Sequence, residues 1–301
     1  MEATKSINDL LKYESVKAYY NKFYYISRSD ATKEKNFYVI EKFCRFANKD
    51  PDTLVQECKK LGEEYIKKLM MDFLIKLSDE STSPNTQRTY LFVIRSFLRA
   101  NSIELSNINM PRAKVMTIDR APSKEEVKKA IQYSSIEGRA LISFLAVTGC
   151  RIGEALKIQK RDLELDKRRV RIRPEIAKDR IGRYVFLTPT AVAYIKAYLE
   201  SRKDNDERVF PFYKVKAWRM VSKAFRNTTD VQKVAKRYEL HPHALRKFFF
   251  SIALMKLGRE VAEALMGHNR YLDSSYLRLP IEFVQQKYEE IVPDLEEAIK
   301  V

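Results

Sequence analysis

Cysteine is scarce in this sequence, with three residues, Cys44, Cys58 and Cys150, among 301. Their spacings fit neither a zinc site nor a disulfide framework, so free buried thiols in a reducing compartment are expected. Glycine is scarce too, at 7. Few Gly and Cys beside abundant Lys and Glu lean towards a heat-adapted composition. There is no internal repeat and no low-complexity tract. The first residues, MEATKSINDLLKYES, contain no signal-like apolar stretch. The longest apolar stretch, around Ala140 to Val147, is far too short to span a bilayer. No membrane association is expected.

What the sequence does have is size, an apolar fraction and positive charge. Hydrophobic residues make up 45%, which suits a globular chain, and 301 residues are enough for two ordinary domains. The formal net charge is +17 and the sequence pI about 9.6. Residues 1–110 hold 18 Lys and Arg against 15 Asp and Glu, whereas residues 111–301 hold 39 against 25. A field of that sign favours a polyanionic partner, and without membrane features nucleic acid is the better candidate.

Periodicity divides the chain. Residues 8–26, 32–47, 61–78 and 84–100 carry apolar side chains at 3–4 spacing and predict helices. In SPNTQRTYLFVIRSFLRAN, Ser83 can cap a helix whose first turn holds Pro84, and Tyr90, Val93, Ile94 and Phe97 form its apolar stripe. Arg88, Arg95 and Arg99 fall on another face and are candidate contacts to DNA phosphates, a solvated face being the bland alternative. Pro111, Pro122 and lost periodicity mark a linker at 111–121 between domains at 1–110 and 122–301. Beyond it, helices are predicted at about 123–134 and 137–148. Val170 and Ile172 then alternate with Arg169, Arg171 and Arg173, and Val185 and Leu187 alternate after a turn at about 175–182. This predicts a small sheet with a basic hairpin, and Arg169, Arg171, Arg173 and Arg183 join the candidate DNA contacts. Helices resume at about 188–202, 214–227, 243–256, 259–267 and 281–300. The fold class is mostly α: an N-terminal helical domain, then an α+β domain dominated by helix.

Three segments carry candidate chemistry. In TGCRIGEALKIQKRDLEL, Arg151 starts a helix after Gly149, with Glu154 one turn on. An arginine near a helix N-terminus can lay its guanidinium fork on a phosphate, and a carboxylate three residues later can hold that fork. A surface ion pair is the alternative. In HPHALRKFFFSIALMKLG, His243 and Arg246 share one face of a helix. A metal reading of His241 and His243 lacks clustered carboxylates or cysteines. In EALMGHNRYLDSSYLRL, His268 follows Gly267 and Tyr276 comes eight residues later. The chain has 3 histidines, and all fall between positions 241 and 268.

Together and in order, these segments resemble the tyrosine recombinases, the phage integrase or Xer-type family. TGCRIGEAL is similar to the box around the family's first catalytic arginine, HALR to its His-x-x-Arg box, and LMGH with a downstream tyrosine to its third box. The family places a lysine in a β-turn, followed by Arg, Val and Leu at fixed offsets. Lys178, with Arg183, Val185 and Leu187, matches that pattern. The segment at 83–101 is similar to the last helix of the family's core-binding domain. The interval from His268 to Tyr276 is one residue shorter than the family's usual spacing, and Tyr271 and Tyr288 are the alternative nucleophiles. That short interval and TGCRIGEALKI resemble archaeal virus or plasmid integrases.

The resemblance implies an N-terminal core-binding domain and a catalytic domain with a small β-sheet. It implies Arg151, Lys178, His243, Arg246, His268 and Tyr276 as catalytic residues, with Glu154 orienting Arg151. Tyr276 would attack a DNA phosphate, giving a 3′-phosphotyrosine and a free 5′-hydroxyl. Lys178 would protonate the leaving oxygen, His243 would serve the tyrosine as acid/base partner, and His268 would donate to the phosphate. Neither metal nor any other cofactor is expected. The implied partners are double-stranded DNA with a specific site and a homo-tetramer on a Holliday junction, its subunits linked by the C-terminal helix. The implied location is cytoplasmic and DNA-associated. The alternatives are a type IB topoisomerase-like relaxing enzyme and a catalytically inert DNA-binding protein on the same fold.

Overall fold

The structure is a computed structural model and describes residues 7–26, 30–106, 111–112, 120–178, 180–227, 233–234, 237–267 and 280–301. The chain divides into two compact units, Met1–Met116 and Thr117–Val301. Among the described residues, no helix is long and apolar enough to cross a membrane.

The first unit is helical: α1 (Ile7–Leu10), α2 (Glu14–Ile26), α3 (Asp30–Phe46), α4 (Pro51–Asp79) and α5 (Pro84–Ala100). Helix α5 begins as its sequence demands. Ser83 accepts the backbone N–H of Thr86, Pro84 occupies the first turn, and Tyr90, Val93, Ile94 and Phe97 are buried. Helix α4 starts earlier than the apolar pattern at 61–78 suggests. Asp50 caps it through Asp52 and Thr53, ahead of Pro51, and Gly62 breaks it at φ 79°. The polar loop chemistry is also structural: Asp52 accepts the backbone and hydroxyl of Ser15, tying α2 to α4. Phe43 meets Phe73 edge-on at 5.2 Å in the core.

The second unit begins with α6 (Lys124–Gln132), whose Ser123 and Glu126 form a reciprocal capping box, and α7 (Ile136–Thr148). Helix α7 is buried nearly all round and packs against α6, α9 (Pro189–Ser201) and α11 (Pro242–Met266). Each fully buried Leu, Ile, Val or Phe on it contributes about 1.5–3 kcal/mol, which makes α7 the unit's central strut. After the short α8 (Ile152–Ala155) comes an antiparallel sheet ordered β1 (Leu163–Glu164), β2 (Arg169–Ile172), β3 (Arg183–Phe186). Its register pairs Val170 with Val185 and Ile172 with Arg183, leaving Lys178 in the connection between β2 and β3. Helix α10 (Lys214–Arg226) and a two-stranded pair, β4 (Lys233–Val234) and β5 (Arg237–Tyr238), precede α11. Gly258 interrupts α11 at φ 77°, at the boundary between the helices predicted at 243–256 and 259–267.

The expected C-terminal helix at 281–300 is two helices, α12 (Ile281–Glu289) and α13 (Val292–Ile299), divided ahead of Pro293. Both pack within their own unit. Leu295, Ala298 and Ile299 are fully buried, and Lys124 pairs with Asp294 at 2.7 Å and Glu297 at 2.6 Å. The hydroxyl of Tyr288 donates to the carbonyl of Val147 in α7. The apolar face of α13 is thus already covered by α6, α7 and α9.

Candidate active site

Helix α7 ends at Gly149, in the left-handed region at φ 61°. A Cβ there would lie 2.5 Å from Phe249 Cδ1 and 2.8 Å from Met266 Sδ, so both conformation and space call for glycine. The tight turn buries Cys150, whose thiol burial pushes up in pKa, and delivers Arg151 to the N-terminus of α8.

Glu154 sits beneath this turn with 3% of its side chain exposed. Its Oε1 accepts Arg151 Nη1 at 3.0 Å and the backbone N–H of Lys178 at 3.4 Å. Its Oε2 accepts Arg183 Nη2 at 2.7 Å and the backbone N–H of Arg151 at 3.3 Å. Burial alone would raise the pKa of this carboxyl. The charges and hydrogen bonds of Arg183 and Arg151 outweigh that and hold it below the usual carboxylate range. The pair of Arg151 and Glu154 is therefore not a solvated surface pair. Arg151 keeps 26% of its side chain exposed, enough to meet a ligand.

Arg246 lies one turn after His243 in α11 and is 3% exposed. Its guanidinium donates to the carbonyl of Gly149 and, at 3.0 Å, to that of Met266. These carbonyls end α7 and α11, where the helix dipoles are negative, so the cation is placed at two favourable termini. Burial, and secondarily the charge of Arg151, lowers its pKa to about 10, which leaves it protonated at neutral pH. Its bond to the Gly149 carbonyl anchors it two residues along the chain from Arg151.

Lys178 and His243 are both exposed. His241 caps α11, its Nδ1 accepting the backbone N–H of His243 at 3.1 Å, and its ring stacks on Trp218 of α10 at 4.9 Å. Trp218 is a neighbour that sequence reasoning missed. A lone Trp on an amphipathic helix carries no mark of which ring it will support. Gly267 closes α11 at φ 67°. His268, Tyr271 and Tyr276 lie outside the described residues. Tyr288 is fully buried, and burial raises its pKa well above the ordinary value, so it is a core residue.

The candidate DNA contacts separate by environment. Arg171 and Arg99 are exposed. Arg169 pairs with Glu164 at 2.7 Å and lies over the ring of Tyr184, and Arg173 pairs with Asp162 at 3.0 Å. Arg88 donates to the carbonyl of Pro111 and Arg95 to that of Leu105. Arg183 was a further candidate contact. Only 12% of its side chain is exposed, and its guanidinium serves Glu154.

Comparison with known proteins identifies the family. Residues 115–272 match the phage integrase family. Tyrosine recombinase XerA of Thermococcus kodakarensis is 26% identical over 231 residues, 72% of this chain and 79% of the relative. Tyrosine recombinase XerA of Saccharolobus solfataricus is 23% identical over 257 residues, 83% of this chain and 82% of the relative. Among solved structures, a lambda integrase dimer bound to a COC′ core site superimposes with a TM-score of 0.64 at 14% identity. It covers 95% of this chain and 78% of that one, a likeness of fold. A lambda integrase tetramer bound to a Holliday junction gives 0.63 at 14% identity, over 92% of this chain and 81% of that chain. With its family match spanning more than half its length, the chain belongs to the phage integrase family, the tyrosine site-specific recombinases.

Proposed function

We propose that this recombinase cleaves and rejoins DNA at a specific site through a 3′-phosphotyrosine, with Tyr276 as nucleophile. The observation that carries the reading is that the buried carboxylate of Glu154 holds both Arg151 and the Lys178 turn, while Arg246 is fixed on the Gly149 carbonyl just before Arg151. A phosphodiester under attack gathers negative charge on its non-bridging oxygens. Two preorganised guanidinium groups meet that charge without reorganising. The phenolic oxygen of Tyr276 forms a bond to phosphorus as the bond from phosphorus to the 5′-oxygen breaks. The phenol proton passes to His243, and the ammonium of Lys178 delivers a proton to the departing 5′-oxygen. His268 donates to the phosphate. The new phosphoester keeps the bond energy, so rejoining is the same chemistry reversed by a 5′-hydroxyl and requires neither ATP nor metal.

Under this reading, residues 1–110 and 122–301 both bind the duplex, the first through Arg99 and its neighbours on α5. The tetramer on a Holliday junction seen for lambda integrase is the expected assembly here as well. Linking its subunits through α13 would require that helix to leave α6 and α7, exposing Leu295, Ala298 and Ile299 until a neighbour covers them. The reading is tested with duplexes carrying a nick beside the cleavage point, so that the 5′ fragment diffuses away. A denaturant-resistant adduct between protein and DNA 3′-ends is expected. Supercoil relaxation without strand exchange between two sites would favour the topoisomerase-like alternative, and no adduct on any DNA would leave only a binding protein.

A further inference from the structure

We propose that Arg183 is a positioning residue for Lys178, and not a contact to DNA. The inference rests on the phosphotyrosine reading above and assigns that site a part. Lysine is a flexible four-carbon stem, and its ammonium is held in place only as well as its backbone is held. The connection from Arg173 to Gly182 is tethered at two points that flank the critical stretch. At Lys178 the backbone N–H reaches Glu154 Oε1, and at Arg183, where β3 begins, the guanidinium reaches Glu154 Oε2. A single buried carboxylate thus closes the loop from 178 to 183 and, through Arg151, sets that loop against the phosphate-binding arginine. Arg183 is also sterically captured. A Cβ on Gly267 would fall 2.7 Å from its Cδ and 2.8 Å from its Nε, so the end of α11 lies directly over the arginine stem. The side chain that spans Glu154 and Gly267 therefore joins three segments: the α8 turn, the hairpin and the end of α11. Its Nη2 is engaged by Glu154 at 2.7 Å, and its stem is covered by the end of α11.

The chemistry of the leaving group tests this. A 5′-oxygen leaves as an alkoxide and needs a proton, whereas a 5′-sulfur leaves as a thiolate, its thiol having a pKa of about 8.5. Cleavage rates would be measured on two nicked duplexes, one with the ordinary scissile phosphate and one with a 5′-bridging phosphorothioate. Arg183→Met should cleave ordinary DNA about a hundredfold more slowly, the scale of a misplaced catalytic group. It should cleave the phosphorothioate at close to the wild-type rate, as Lys178→Ala should. Its affinity for DNA and the salt dependence of that affinity should match wild type. Arg183→Lys, which keeps a cation beside Glu154, should fall between the two and serves if the Met variant does not fold. An unchanged rate on ordinary DNA, an equal slowing on both substrates, or a log–log salt slope reduced by about one would each overturn the proposal. Wild-type protein that forms no adduct with either duplex would instead remove the phosphotyrosine reading on which it rests.

Discussion

The hydroxyl of Tyr288 donates to the carbonyl of Val147 at 3.0 Å, joining α12 to the central helix α7. Phe186 and Phe249 pack against the same ring, with centroids at 5.5 and 6.4 Å. Tyr288→Phe removes one buried hydrogen bond and nothing else, so a loss of about 1 kcal/mol in urea unfolding is expected. Cleavage at full rate by that variant would accord with a core role. Loss of the DNA adduct without loss of stability would make Tyr288 the nucleophile.

Tyr276→Phe should bind DNA as wild type does and form no adduct. Phe is nearly isosteric, so a Tyr276 that only packed would tolerate the change. Peptide mapping of the DNA-linked fragment checks the assignment directly. A label on the peptide carrying Tyr271 would transfer the role there.

The two arginines should fail differently. Arg151→Lys keeps a charge and loses the planar fork, so cleavage falls while stability stays close to wild type. Arg246→Lys cannot reach the carbonyls of both Gly149 and Met266. It should lose cleavage and also about 2 kcal/mol of stability, the scale of a hydrogen bond to a charged group. Chemical denaturation of both variants separates them, and equal stabilities would remove the bridging role of Arg246.

Salt titration of DNA affinity should sort the basic hairpin. Arg171 is exposed, so Arg171→Ala should lower the log–log salt slope by about one if it neutralises a phosphate. Arg173 is held by Asp162, so Arg173→Ala should leave the slope unchanged. The reverse ranking would mean that the hairpin reaches DNA by its other face.

Local signals were readable wherever the chain's own neighbours set the structure. Ser83 and Pro84 announce α5, and alternation at Val170 to Ile172 and Val185 to Leu187 announces the hairpin. The first part of α4 escaped notice although Asp50 and Pro51 are an ordinary start signal, because its apolar spacing is interrupted at Gly62. That Arg183 meets a carboxylate was not legible, because alternating arginines say nothing about what lies beneath them. Glu154 lies 29 residues upstream, on another element. What α13 packs against was hidden for the same reason. An amphipathic helix shows that its face needs a cover and not which chain supplies it.

The break at Gly258 has a metric consequence. A straight helix would carry Met266 about 30 Å from Arg246 over the 20 residues between them, yet one guanidinium reaches the carbonyl of Met266. The chain must therefore double back at Gly258, and the length of the return limb is fixed by where Arg246 can reach. One residue inserted between Gly258 and Met266 would turn the limb's end by about 100° and carry that carbonyl out of register. Natural variation in chain length should therefore avoid the return limb.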